Sequence, residues 1–399
     1  LAYPEGGEAL PLAVPSLIAG HALSRAIPAR AAFNLVFMAN LVLSAWAFHR
    51  LARKLRHPPA AAAAYAALVA FHPYVQSFIL RGQIENVMLW TAGFAYGALV
   101  DLLEGRRPAA AFVAAVALPC VAVFSSPYLA LFLAAAWPFI LAHAVGRLGL
   151  SWRSRGVRRA LAAGLAMVLL LPLLVRVYAP GSAEAASLLN LNPGTADVGI
   201  AAGIPAESVA DLFNPREGLW QEKPYLGTVW LAAMLWAGAT LLRLRRARGP
   251  GGPVCSRDTA ILLAGTAILA VLALGRSIGP PGCRIPLPAA WLDHVIPGFD
   301  NVVKLNRLLP FMAACGGLLV ARALAARPPR AGLAAASVLV ALVAAEGLAF
   351  APPGIRTRPA CYLDAARDLP DTIRALPRFE DEDLPVLDLP PRSEERRVG

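Results

Sequence analysis

Apolar runs of close to twenty residues recur along this chain, separated by short basic connections on one side and longer polar, proline-rich ones on the other. They fall at about Ala31 to Phe48, Pro59 to Leu80, Ile84 to Leu103, Ala109 to Ser126, Pro127 to Gly146, Ala160 to Ala179, Leu226 to Leu242, Thr259 to Gly275, Leu308 to Ala326 and Ala331 to Phe350. Each approaches the ~20 residues that a helix needs to cross ~30 Å of hydrocarbon. The pattern predicts an all-α polytopic membrane protein of about ten transmembrane helices, with a transmembrane domain over residues 31–351. Residues 1–30, broken by Pro4, Pro11 and Pro15, read as an outer loop plus a short helix lying at the interface.

Charge orients the spans. Eighteen Arg and Lys residues fall in one set of alternate loops, at Arg50 to Arg56, Arg106 and Arg107, Arg147 to Arg159, Arg243 to Arg257, and Arg327 and Arg330. The loops between spans on the other side carry seven. The richer set is assigned to the cytoplasm, so the spans are expected in the membrane that bounds it. The net charge of +12 is thereby explained as topology and gives no reason to expect nucleic acid as a partner. The long loops Pro180 to Tyr225 and Arg276 to Asn306 then lie outside, where long structured loops point to the working face.

Composition agrees: 58% hydrophobic, 16% charged and a mean hydropathy of +0.57 exclude an ordinary soluble domain. No metal-type spacing links the five Cys or the six His residues. Cys283 and Cys361 share a side and could be bridged, though nothing else asks for it. The opening at Leu1 reads as a fragment whose beginning is missing. Residues 352–399 read as an outer tail and the start of a truncated soluble domain, with Arg392 to Gly399 set aside as foreign sequence.

The candidate chemistry gathers at the outer lip. Arg81 and Glu85, four apart, would share a helix face if the third span starts this early. They read either as an interfacial ion pair worth ~1 kcal/mol or less, or, with Gln83 and the amides after Gly82, as a grip on a phosphate or a sugar hydroxyl. Pro73 frees the carbonyl of Val69 and predicts a kink that opens space beside His72 and Tyr74. His72 reads better as a satisfied interfacial histidine than as a ligand, and Tyr128 as a membrane anchor. Lys304 and Arg307 precede a helix whose macrodipole they oppose, so an anion is expected there, either Asp300 or a substrate phosphate. Glu346, an acid within the last span, should face the bundle interior or water.

Taken in order, these features resemble the GT-C class of multi-pass bacterial membrane glycosyltransferases and the integral membrane proteins grouped with them. The matching pieces are Tyr3-Pro4-Glu5-Gly6-Gly7, Phe33-Asn34-Leu35, Ala70-Phe71-His72-Pro73-Tyr74, Gly82-Gln83-Ile84-Glu85, Ser126-Pro127-Tyr128, Asp211-Leu212-Phe213-Asn214-Pro215, Tyr225-Leu226-Gly227 and the Pro-Gly segment leading to Lys304 and Arg307. The likeness implies an inverting transfer of a hexosyl or pentosyl group from a polyprenyl-phosphate sugar donor to a glycan, lipid or protein acceptor outside the membrane. It implies phosphate roles for Arg81, Lys304 and Arg307, and sugar or acceptor contacts for Gln83 and Glu85. The base of that class is an Asp of the first outer loop, which would precede Leu1; Glu5 is the weak candidate left in this chain. No cofactor is certain, a divalent cation being the open option, and membrane lipids complete the partners. The rival reading is a non-catalytic transporter, lipid-handling or envelope-assembly protein; against a transporter stand the lack of an evident repeat and the outward position of the polar clusters.

Overall fold

A computed structural model describes residues 14–80, 84, 87–178, 227–248, 257–278, 285–295 and 305–349. These residues are mostly helical: α1 (Val14–Ser24), α2 (Ala29–Lys54), α3 (Pro59–Ala70), α4 (Pro73–Leu80), α5 (Trp90–Glu104), α6 (Pro108–Val123), α7 (Pro127–Leu148) and α8 (Arg155–Tyr178). There follow α9 (Thr228–Arg248), α10 (Arg257–Ala273), β1 (Ser277–Ile278) paired antiparallel with β2 (Ile285–Pro286), α11 (Pro288–Val295), a 3-10 turn (Leu305–Leu308), α12 (Leu309–Ala325) and α13 (Pro329–Ala349). Helix lies on every apolar run read from the sequence. Among the described residues two helical stretches, Ala31–Lys54 and Pro329–Ala349, are long and apolar enough to cross a membrane.

The helices start where proline allows. Pro59, Pro108 and Pro127 open α3, α6 and α7, where the missing N–H would have had no partner. Gly105 and Gly149, both at positive φ, end α5 and α7.

Helices α3, α5 and α12 form the centre. Helix α3 packs between α2, α12 and α13 with most of its residues buried, as expected of a segment apolar all round. Two glycines seat α12: a Cβ on Gly317 would come within 2.8 Å of the Tyr65 ring, and one on Gly316 within 2.5 Å of the Trp230 ring. Small residues here let α3 and α9 close onto α12. At the periphery the helices turn apolar side chains outward: Leu35, Met38, Val42 and Trp46 on α2, Leu161, Leu165 and Val168 on α8, and Leu333, Val338, Leu342 and Leu348 on α13.

The basic connections meet at one end. Lys54 pairs with Asp101, Arg322 with Asp258, and Glu104 with both Arg56 (3.4 Å) and Arg106 (3.0 Å). Arg147 donates to the carbonyl of Leu55 at 3.0 Å, tying α7 to the α2–α3 connection. We call this the inner end.

Three expectations are corrected. The span expected from Ile84 begins as regular helix only at Trp90, because side chains of α2 take the backbone groups that a helix would use, as shown below. The break at Pro73 opens no space: His72 and Tyr74 are buried, and the Val69 carbonyl accepts the His72 N–H at 3.4 Å. The stretch from Arg276 to Asn306, expected as a loop, contains β1, β2 and α11; Pro288 opens α11 in a proline-dense stretch that masks so short a helix.

Candidate functional site

Ahead of α5, Ile84, Val87, Met88 and Leu89 are all buried, and Val87 to Leu89 are not helical. Buried backbone needs partners, and α2 supplies them. The Ser44 hydroxyl donates to the Val87 carbonyl at 2.9 Å and accepts the Trp90 N–H at 3.0 Å. The Trp90 indole N–H donates to Asn40 Oδ1 at 2.9 Å, and Asn40 Nδ2 donates to Ser16 Oγ at 3.0 Å and the Val36 carbonyl at 3.0 Å. Hydroxyls of Ser16 and Ser125 reach the Met88 sulfur at 3.3 and 2.9 Å. One connected polar chain thus holds the segment in place, and α1 is part of it.

Beside it, α4, α9 and α13 make a second junction. The Tyr74 N–H donates to His72 Nδ1 at 3.2 Å, which puts the ring proton on Nε2, and the imidazole stands edge-on to the Trp230 ring. Gly227 takes φ +84° and lies against Pro73, so close that a Cβ would meet the ring at 3.0 Å. Two stretches quoted above, His72-Pro73-Tyr74 and Tyr225-Leu226-Gly227, therefore come together at their described residues. Glu346, buried as expected, accepts the N–H groups of Thr228 at 2.6 Å and Val229 at 3.3 Å, filling the positive end of α9.

Between these junctions and the inner end runs an apolar cavity of about 200 Å³. Its walls come from α2, α3, α5, α7, α10 and α12, with Tyr65, Phe132, Phe139 and Phe311 among them. From Ile261 to Leu272 it follows α10 for roughly 16 Å at ~1.5 Å per residue. Leu89, Leu292 and Leu308 border it, Leu89 belonging to the segment held by Ser44 and Leu308 closing the 3-10 turn. Toward the inner end lies His143, hydrogen-bonded to the Tyr96 hydroxyl.

Of the residues singled out from the sequence, Glu5, Arg81, Gln83, Glu85, Asp300 and Lys304 lie outside the described residues, as do Cys283 and Cys361. Arg307 is on the 3-10 turn, between Leu305 and Leu308, both buried. Leu89, four residues after Glu85, and Leu308, the residue after Arg307, both border the cavity. Asn40, Ser44 and Ser16 were not singled out; three small polar residues within apolar stretches were the available signal. Among the described residues no three His, Cys, Asp or Glu side chains gather as a metal site.

At the inner end His57 is buried in the α2–α3 connection, its carbonyl accepting from Arg53 at 2.7 Å. Burial, reinforced by the charge of Arg147, pushes its imidazole down to about 3, so it is neutral at physiological pH.

No protein-family model matches this chain, and no curated protein or solved structure matches it either. The reading of the site rests on its own chemistry.

Proposed function

We propose that the chain is a polytopic membrane glycosyltransferase that moves a sugar from a polyprenyl-phosphate donor to an envelope glycan, lipid or protein at the outer end of the bundle. The observation that carries this reading is the apolar cavity bordered by Leu308, one residue after Arg307. A long isoprenoid fits an aliphatic and aromatic channel, and a cation next in sequence to Leu308 suits the phosphate that joins it to the sugar. The outward apolar faces of α2, α8 and α13 support about ten spans in lipid, since a soluble protein seldom leaves such patches open to water.

In this reading Arg307, with Lys304 and Arg81, stabilises the negative charge that grows on the leaving polyprenyl phosphate. Gln83 and Glu85 orient the sugar or the acceptor, and the chain Ser16–Asn40–Trp90–Ser44 fixes the backbone that follows them in sequence. The base is assigned to the first outer loop.

The test is Arg307→Gln in the full chain, with sugar transfer measured in membranes supplied with a polyprenyl-phosphate sugar. A loss of about a hundredfold is expected. Unchanged turnover removes Arg307 from the site. The depth of the cavity, reaching His143, also favours a lipid-handling protein without bond chemistry. That reading prevails if the wild type binds the polyprenyl lipid and transfers nothing.

A further inference from the structure

A second concavity, of about 290 Å³, lies near the inner end between α2, α5 and α6. Its floor is made of small residues, Gly93, Gly97, Ala110 and Ala114 among them, and its rim carries Arg50, Lys54, Arg106 and Arg107 with one carboxylate, Asp101. The ion pairs are unevenly distributed. Lys54 is held by Asp101 and by the Gly97 carbonyl at 2.9 Å, and Arg106 by Glu104. Arg50 stacks over the Trp46 ring at 5.1 Å, and neither it nor Arg107 meets a carboxylate among the described residues. Arg107 sits at the N-cap of α6 with φ 43°, and among the described residues no side chain caps that helix, which leaves its first amides without a side-chain partner.

An anion is what this rim lacks, and an alkyl chain is what the floor admits. We propose that the groove binds one anionic phospholipid of the inner leaflet, its phosphate between Arg50, Arg107 and the start of α6, one acyl chain lying along Ala110, Ala114 and Leu118. This rests on the membrane reading above, which puts the basic end at the cytoplasmic surface, where anionic headgroups are found. It makes no use of the cavity or of Arg307.

The experiment uses the purified full chain in detergent, with phosphatidylglycerol or phosphatidylcholine added and bound lipid counted by native mass spectrometry. One phosphatidylglycerol per chain is expected, retained about tenfold better than phosphatidylcholine. Both the double variant Arg50→Gln, Arg107→Gln and the groove-filling Ala114→Phe, which leaves every charge in place, should lose that preference. The proposal is overturned if both variants, melting as the wild type does, keep it. It is also overturned if millimolar inorganic phosphate displaces the lipid, since the site would then belong to free phosphate. Alkaline washing of membranes separates the two failures: release of the chain into the supernatant sinks the membrane reading and this proposal together. Retention in the pellet with unaltered lipid preference sinks the groove alone.

Discussion

Glu346, three residues from the end of α13, accepts the Thr228 N–H at 2.6 Å and so joins the last helix to the start of α9, 118 positions earlier. A carboxylate at a helix N-terminus both satisfies open amides and opposes the dipole. Glu346→Ala should therefore destabilise by about 1–2 kcal/mol. Glu346→Gln, which keeps an oxygen but not the charge, should cost less. Melting in detergent measures both, and equal melting temperatures for all three proteins would refute the capping role.

Ser44 serves two backbone groups at once. Removing its hydroxyl in Ser44→Ala strands the Val87 carbonyl and the Trp90 N–H inside the protein, at about 1–3 kcal/mol for each buried group left unmade. Because that segment follows Gln83 and Glu85 directly, the same variant should also slow sugar transfer. Turnover at the wild-type rate, at a temperature where the variant is fully folded, would separate the segment from function.

The cavity makes a prediction about chain length. A Cβ on Gly265 would meet only the Cys315 sulfur, at 3.8 Å, so Gly265→Leu should be accommodated while filling the space. Loss of Gly from a helix interior offsets part of any cost, by about 1 kcal/mol. Use of a long polyprenyl donor should fall while a donor with one or two isoprene units is spared. Equal effects on both donors would show that the isoprenoid lies elsewhere.

His57 predicts a pH dependence with a defined sign. Its imidazole is held down to about 3 in the folded chain, against an ordinary ~6.5 when unfolded. Between those values the unfolded chain binds a proton that the folded one refuses. Stability is thus complete above pH 6.5 and declines as pH falls toward 3, by at most about 1.4 kcal/mol per pH unit. Melting of the wild type should drop more steeply from pH 7 to pH 5 than that of His57→Gln. Parallel curves would assign the acid sensitivity to other groups.

The positions of the helices were legible because a run of apolar residues bounded by proline, glycine or arginine carries its own ends. Pro59 and Gly149 illustrate this. What was not legible is how those runs are used. Asn40 and Trp90 lie 50 positions apart, and nothing local tells that one indole N–H will find one amide oxygen. Ser44, equally remote in sequence, takes the Val87 carbonyl and the Trp90 backbone N–H, which is why α5 starts at Trp90, six residues later than the apolar pattern implied. The cavity was hidden for another reason: Phe311 facing a void, Leu309 facing a neighbour and Leu333 facing outward look alike in a string of letters. For the outer cluster, the sequence located the turn that carries Arg307 and the element that follows it, but not the hole that both border.

The lining of that cavity begins at Phe48 and is complete only at Leu318. During synthesis, then, no pocket exists until the ribosome has passed α12, and the walls contributed by α2, α3, α5 and α7 must wait half-built. The slot for α12 between Tyr65 and Trp230 is in this sense a closing step. A chain stopped short of Gly316 would keep most of its helices and no enclosed pocket.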